Sequence, residues 1–420
     1  PISLLNTLGK VYEKIIHTRL KAATQQMRSP LIDEQFGFPA HHSSVHQVHR
    51  LTEHILKGFA TSRTHTTGAL FFDVAKAFDK VWHNGLIYKL YQLELPDNLV
   101  RIIRVFLSNR TFRYRVNGTL SSPRPIRAGV PQGSVLSPLL YSLYTNDIPI
   151  PKNKATKLAL FADDTAIYTT GTSVEAITSR LQSAATVLDE WFRKWRIEVN
   201  PEKSAAVHFV KHTRRVFWTK GRPGTITLET KYLGVILDSK LSFKAHINRV
   251  RNSAAFILGR LHTLLCGRSR MSLRNKTTLY KACVRPIMTY ACPVFAHVEP
   301  TLIHRLQIIQ NKFLRTATYS PWYVRNVDLH RDLKIDSIAK HLKIVATAYF
   351  ERARNHPNPL VAEACKYVGR GNLQTVQRRP MHVLTDPDDR ITAACLVNRR
   401  SRVRISSGPY LILFLFSFYI

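Results

Sequence analysis

The chain is poor in acid. Of its 420 residues only 27 are Asp or Glu, against 62 Lys or Arg, which gives a formal net charge of +35 and a pI near 10.4. So large an excess of one sign repels itself in isolation, so a polyanionic partner is the leading expectation and an anionic membrane surface the second. Cysteine is scarce too: Cys266, Cys283, Cys292, Cys365 and Cys395 are odd in number, far apart and without a CxxC pair. That excludes a disulfide frame and a zinc ribbon, and fits a reduced, intracellular protein. Long apolar runs are also missing. The terminal YLILFLFSFYI falls well short of the ~20 residues that span a bilayer, so it reads as a non-native end and no membrane partner is expected. No secretory signal is visible, and a start at Pro1 without Met suggests a fragment lacking its natural N-terminus.

The few acids are unevenly spread. Between Asp97 and Asp147 there is none, while Arg101, Arg104, Arg110, Arg113, Arg115, Arg124 and Arg127 all occur; a second acid-free tract runs from Asp238 to Glu299 and carries Lys240, Lys244, Arg249, Arg251, Arg268, Arg270 and Arg274 among others. Ordinary solvated faces mix both signs, so these tracts read as surfaces that meet phosphate. With 45% apolar and 21% charged residues the chain is globular, and its length allows two or three domains.

Against this background two carboxylates stand out inside an apolar stretch. Leu158 to Tyr168 reads LALFADDTAIY, the pattern of a β-hairpin with Asp163 and Asp164 at its turn. Such a pair alone is more often a solvated turn than a site, and a third carboxylate has to converge on it. Gly68 to Asp73 supplies a candidate: a short apolar run ending in Asp73, which either presents a ligand at a sheet rim or caps the segment after it. If the two strands are neighbours in one sheet, Asp73 meets Asp163. Three carboxylates without Cys or His suit Mg²⁺ rather than zinc. Two such ions ~3.5–4 Å apart activate a hydroxyl and stabilise the leaving oxygen of a phosphoryl displacement, which is nucleotidyl transfer.

The remaining pattern predicts supports. Leu8, Val11, Ile15 and Ile16 have helical spacing, as do Val45, Val48, Leu51 and Ile55. His41, His42 and His46 lack an acid or Cys to complete a metal set, so surface or phosphate contacts are favoured. A helix is expected from Pro96 to Leu107, then a hairpin across Asn117-Gly118. Gly129, Pro131 and Gly133 break structure before a helix face of Val135, Leu139, Leu140 and Leu143, leaving Gln132 either to meet a ligand or to serve the loop. An amphipathic helix runs from Val174 to Trp195 and stops at Asn200-Pro201; Lys203 precedes a strand, and a hairpin leads from Tyr232 to Asp238. From Leu241 the pattern turns helical and basic, with further helices around residues 276–283, 302–314 and 338–354. Beyond Pro357 little packed structure is expected.

Taken in order, Phe72-Asp73-Val74 with Ala77-Phe78-Asp79, Pro131-Gln132-Gly133-Ser134, Phe161-Ala162-Asp163-Asp164, Asn200 to Lys203 and Tyr232-Leu233-Gly234 resemble the motifs of reverse transcriptases of non-LTR (LINE-type) retrotransposons, most of all the jockey-like elements, over Pro1 to Pro359. The resemblance implies an α+β right-hand polymerase, with fingers and palm around an antiparallel sheet in residues 1–237. A helical basic thumb and C-terminal helices would occupy 238–356, and a poorly structured basic tail 357–420. It implies RNA-directed DNA polymerisation with two Mg²⁺ ions, Mn²⁺ being a possible substitute. Asp73, Asp163 and the Val74 carbonyl would hold the metals and Asp164 would support them. Phe78 would be the steric gate against a ribose 2′-hydroxyl, Gln132 and Gly133 would meet the nucleotide, and Lys203 would donate a proton to pyrophosphate.

The implied partners are RNA template, DNA primer or target, dNTPs and an element RNA–protein particle. The implied place of action is the nucleus, with a cytoplasmic particle. One departure matters: the family usually has Phe-Gly-Phe-Arg where this chain has Phe36-Gly37-Phe38-Pro39, and proline supplies neither a cation nor an N–H. A catalytically impaired nucleic-acid-binding remnant is therefore the alternative. An RNA-dependent RNA polymerase is a weaker one, disfavoured by Phe78.

Overall fold

The computed structural model describes residues 6–26, 31–61, 64–211, 225–366 and 379–385. Helices α1 (Thr7–Gln25) and α2 (Ser44–Thr61) precede strand β1 (Thr66–Val74), and α3 (His83–Gln92), α4 (Asp97–Leu107) and α5 (Ser137–Tyr144) follow it. The hairpin β2 (Thr156–Phe161) and β3 (Asp164–Gly171) leads into α6 (Val174–Lys194), then β4 (Val199–Phe209), β5 (Thr225–Ile226) and a separate hairpin, β6 (Glu229–Tyr232) with β7 (Val235–Asp238). The main sheet has the order β2-β3-β1-β4-β5 and is antiparallel except at the β4–β5 edge.

Strand β1 reads as almost continuously apolar because it is central and covered on both faces. Its side chains alternate: Ala69 and Phe71 join one apolar cluster, Leu70, Phe72 and Val74 the other. The second cluster is closed by α1, α3, α4, α5 and α6. The first is closed by α2 and by the β6–β7 hairpin, and it continues without a break into the C-terminal helices as far as Val383. Those include α7 (Lys244–Arg260), α8 (Pro300–Thr318), α9 (Ile338–Arg354) and α10 (Pro359–Ala364). Caps set several boundaries. Ser173 accepts a hydrogen bond from the Ala176 amide at the start of α6, whose first turn carries Glu175 and whose last carries Arg193 and Lys194, a charge order that suits the helix dipole.

Several expectations are met locally. The Asn117-Gly118 turn joins paired Arg115–Val116 and Thr119–Leu120, with φ of 48° and 85° at its two central residues, the left-handed pair that a tight hairpin turn needs. The helix from Pro96 to Leu107 and those of the basic C-terminal half form, the one over 276–283 passing through a π-helical turn at Tyr280–Val284.

Others change. Helix α1 turns Glu13, Ile16, Leu20 and Thr24 inward, leaving Leu8, Val11 and Ile15 at least half exposed; a buried carboxylate takes the place that apolar spacing assigned to the stripe. Helix α6 ends at Lys194, and Asn200-Pro201 already belongs to β4, so Lys203 lies within that strand. Of the three histidines His41 is exposed, while the half-buried His42 and His46 rings pack on His356 at centroid distances of 4.9 and 5.1 Å.

The expectation of little packed structure beyond Pro357 is corrected for the described residues. Val361, Cys365, Met381 and Val383 join the core, and the buried Arg379 side chain forms an ion pair with Glu53 of α2. Local composition there is polar, but the covering partner is a helix far upstream. The apolar terminal stretch lies outside the described residues. Among the described residues no helix is long and apolar enough to cross a membrane.

Candidate active site

The β2–β3 turn consists of Ala162 and Asp163, closed by the pair Phe161 and Asp164. Ala162 is left-handed (φ 56°), a conformation that costs a residue with a Cβ and has to be held. Gln35 holds it: its Oε1 accepts from the Ala162 amide at 3.2 Å and from the Gly37 amide at 2.8 Å. Residues 34–36 add to the edge of β2, with the Phe36 amide donating to the Leu160 carbonyl at 2.9 Å, and Gln47 of α2 donates to the same carbonyl. The segment passes so close that a Cβ on Gly37 would stand 2.2 Å from the Ala162 nitrogen. Only glycine fits there.

Asp73 comes to the same rim on β1. It lies directly opposite Asp164 on one side and Asn200 of β4 on the other, with a register shift between Phe71 and Asp73 in the β4 pairing. Such an irregularity re-aims a side chain at a sheet end. The Asp73 amide donates to Ser204 Oγ at 3.3 Å, and Lys203 Nζ stands 4.0 Å from Asp73 Oδ2. Burial first, then the Asp73 charge, raises the Asp163 carboxyl above its ordinary range. Burial, then Asp163 and Asp73, push Asp164 up to about 6, against an opposing pull from Lys231 on β6. The three carboxylates thus crowd negative charge at one edge. Among the described residues no group of three or more His, Cys, Asp or Glu is drawn tightly enough to hold a metal ion. The donor set is nevertheless all oxygen with mutually repelling charges, which is the chemistry a hard divalent cation relieves.

A second group of residues gathers around Phe78. The Phe78 ring stacks on Tyr141 at 5.1 Å and meets the edge of Phe38 at 5.9 Å; Phe38 itself has φ 74°. Two chain segments are laced together beneath it. The Val130 amide donates to the Phe78 carbonyl at 2.7 Å, the Gly129 amide to the Val81 carbonyl at 2.8 Å, and Gln132 Nε2 to the Asp79 carboxylate at 3.1 Å. Gly133 has φ 96°. The loop after it is pinned from α1: the buried Glu13 carboxylate accepts from Ser134 Oγ at 3.0 Å and from the Val135 amide at 2.8 Å.

The structure therefore gathers Asp73, Val74, Asp163, Asp164 and Lys203 at one end of the sheet, and Phe78, Gln132 and Gly133 on two bonded loops, with the Gln132 amide engaged by Asp79. Sequence reasoning missed Glu13 and Gln35. The only signal for Glu13 was an acid inside an apolar helical pattern; for Gln35 there was none.

Comparison with known proteins identifies the family. Residues 1–237 match the family described as reverse transcriptase (RNA-dependent DNA polymerase). The RNA-directed DNA polymerase from mobile element jockey of Drosophila melanogaster is 36% identical over 368 residues, 86% of this chain and 40% of that protein. Its Drosophila funebris counterpart is 37% identical over 369 residues, and the probable RNA-directed DNA polymerase from transposon BS of Drosophila melanogaster 37% over 366, each at 40% of its own length. The chain spans about two fifths of the length of these relatives. Among solved structures, apo telomerase from Candida tropicalis superposes with a TM-score of 0.43 at 11% identity, over 83% of this chain and 61% of that one. The chain belongs to the reverse transcriptase (RNA-dependent DNA polymerase) family, and its likeness to jockey runs past the matched segment into the C-terminal helices.

Proposed function

We propose that this chain is the polymerase portion of a non-LTR retrotransposon reverse transcriptase, extending a DNA primer 3′-hydroxyl with dNTPs along an RNA template. The observation that carries the reading is the direct opposition of Asp73 and Asp164 beside Asp163 at one sheet end. Asp73, Asp163 and the Val74 carbonyl would hold two Mg²⁺ ions, or Mn²⁺ in their place, with Asp164 in support. Bound there, the ions would lower the pKa of the attacking hydroxyl and stabilise the leaving pyrophosphate.

The chain's own residues supply the rest. Phe78, wedged between Phe38 and Tyr141, excludes a ribose 2′-hydroxyl by bulk. Gln132 and Gly133 border the nucleotide, their loop held by Asp79 and Glu13. Lys203, at 4.0 Å from Asp73, places an ammonium where pyrophosphate would leave and can donate its proton. Residues 1–237 act as fingers and palm and 238–356 as a thumb whose acid-free tract between Asp238 and Glu299 follows the nucleic-acid backbone. The partners in this reading are RNA template, DNA primer, dNTPs and an element RNA–protein particle that works in the nucleus.

A second reading is supported by Pro39. It follows Phe38, whose ring touches the gate residue, and it leaves no cation where the family usually has one. A copy impaired in this way would bind RNA and extend poorly. Primer extension on an RNA template, with and without Mg²⁺, separates the two. Extension by the wild type that is lost in Asp163→Asn supports the polymerase. Extension only after Pro39→Arg supports an intact site short of one cation. RNA binding with no extension in either protein supports the remnant.

A further inference from the structure

The C-terminal half exposes three aromatic rings on one short loop. Tyr319, Trp322 and Tyr323 are 69%, 88% and 70% accessible, in the segment between α8 and the helix Asn326–Asp332. Single exposed hydrophobic residues need no explanation, but an aromatic cluster on one loop does. The loop is built. Arg315 of α8 donates to the Pro321 carbonyl at 2.8 Å and to the Val324 carbonyl at 2.7 Å, and Thr318 and Ser320 hydroxyls bond at 2.6 Å. Tyr319 caps α8 in the left-handed conformation, with its Cβ so close to Gly267 that a Cβ there would stand 2.3 Å away. Trp322 and Tyr323 then meet edge to face at 6.0 Å. The rings are held out into solvent by a braced backbone.

Their surroundings are cationic. The loop docks on the turn that carries exposed Arg268 and Arg270, and Arg325 is exposed at its own end. The nearest acids in sequence, Asp328 and Asp332, are both paired with Arg331. A rigid indole with a tyrosine beside it offers stacking faces at little entropic cost, and arginines around it favour a polyanion over an apolar protein face.

We propose that the 319–325 loop is a stacking platform for single-stranded nucleic acid, with bases on Trp322 and Tyr323 and phosphates on Arg268, Arg270 and Arg325. The inference deepens the polymerase reading, since template or displaced strand is what such an enzyme holds, but it stands on binding and not on catalysis.

The test uses the full chain and labelled oligonucleotides, single-stranded and duplex, of one length and at two salt concentrations. Trp322→Ala/Tyr323→Ala should weaken single-strand binding by about fivefold to a hundredfold while changing duplex binding by less than about twofold. Trp322→Phe/Tyr323→Phe, which keeps the rings, should retain most of the affinity. Circular dichroism and a melting scan confirm that each variant folds. Equal single-strand affinity in the folded double-alanine variant overturns the platform, as does an equal loss for duplex. Primer extension measured in parallel keeps the two readings apart. No extension by either the wild type or Pro39→Arg, with a double variant that loses single-strand binding, sinks the polymerase and supports the platform. An active wild type with unchanged binding in the variant sinks the platform alone.

Discussion

Asp73 and Asp164 are directly opposed on neighbouring antiparallel strands, so their carboxylates share one face of the sheet, the face that Lys231 approaches from the β6–β7 hairpin. Like charges so placed destabilise the free protein and invite a cation. Mg²⁺ should raise the melting temperature of the wild type, and Asp73→Asn and Asp163→Asn should lose that shift. Primer extension should fall about a hundredfold or more in both. Without Mg²⁺, Asp164→Asn should melt above the wild type. Extension at the wild-type rate by Asp163→Asn would refute the assignment.

Phe78 owes its position to two rings, Tyr141 beneath and Phe38 at its edge. If Phe78 is the proposed gate, Phe78→Ala removes its bulk and the rNTP to dNTP ratio of kcat/KM should rise by about tenfold or more. Phe38→Ala should have a smaller effect in the same direction. Steady-state kinetics with paired nucleotides measures both, and unchanged selectivity in Phe78→Ala removes the gate.

Glu13 of α1 holds the loop that follows Gly133, accepting from Ser134 Oγ and the Val135 amide. Glu13→Ala leaves Ser134 Oγ and the Val135 amide without their acceptor, at a cost of about 1–3 kcal/mol in stability. The loosened loop should raise KM for dNTP several-fold with a smaller change in kcat. Glu13→Gln keeps an acceptor oxygen and should recover most of KM. A variant that loses stability with KM unchanged would confine Glu13 to packing.

Gly37 touches the Ala162-Asp163 turn. In Gly37→Ala the new methyl carbon meets the Ala162 nitrogen at 2.2 Å, and backbone cannot step aside as a side chain can. The substitution should cost about 1–3 kcal/mol in a denaturant titration and remove extension together with it. Stability and activity like the wild type would show that the 36–38 segment does not brace the turn.

Acid should unfold the protein through its buried histidines. Burial first, then neighbouring charges, hold His46 at about 4, His49 at about 3 and His54 and His246 each at about 4, and burial alone holds His208 at about 4. Unfolded, these rings take up protons near their ordinary value of 6.5, so the unfolded state binds more protons as pH falls from 6.5 toward 4. Stability is complete above 6.5 and drains away through that window. His49 packs edge-on against Tyr349 and Phe350, so His49→Phe should keep the packing and flatten the fall. Melting temperature against pH from 7 to 4 measures it; an unchanged slope in His49→Phe would exclude that ring as a contributor.

How much was legible depends on how local the cause is. The two-Asp hairpin, the Asn117-Gly118 turn, the helix over 97–107 and the aspartate near the end of β1 follow from neighbouring residues: turn formers between β-branched and aromatic runs, or apolar residues at helical spacing. The phase of α1 did not follow, because a helix with apolar residues on more than one side is oriented by what covers it. Here the covering loop offers Glu13 two donors, which outweigh Leu8 and Val11.

Sequence by itself determined the carboxylate set, its oxygen-only chemistry, the loops around it and the basic tracts, since each is written in a short stretch whose propensities act over a few residues. Tertiary structure alone decided that β1 and β3 are neighbours with Asp73 set against Asp164, that Gln35 and Gly37 brace Ala162, and that the chain returns at Arg379 to pair with Glu53. These are contacts between residues far apart in the chain. They form only when burial of a shared apolar core offsets the entropy of bringing those segments together.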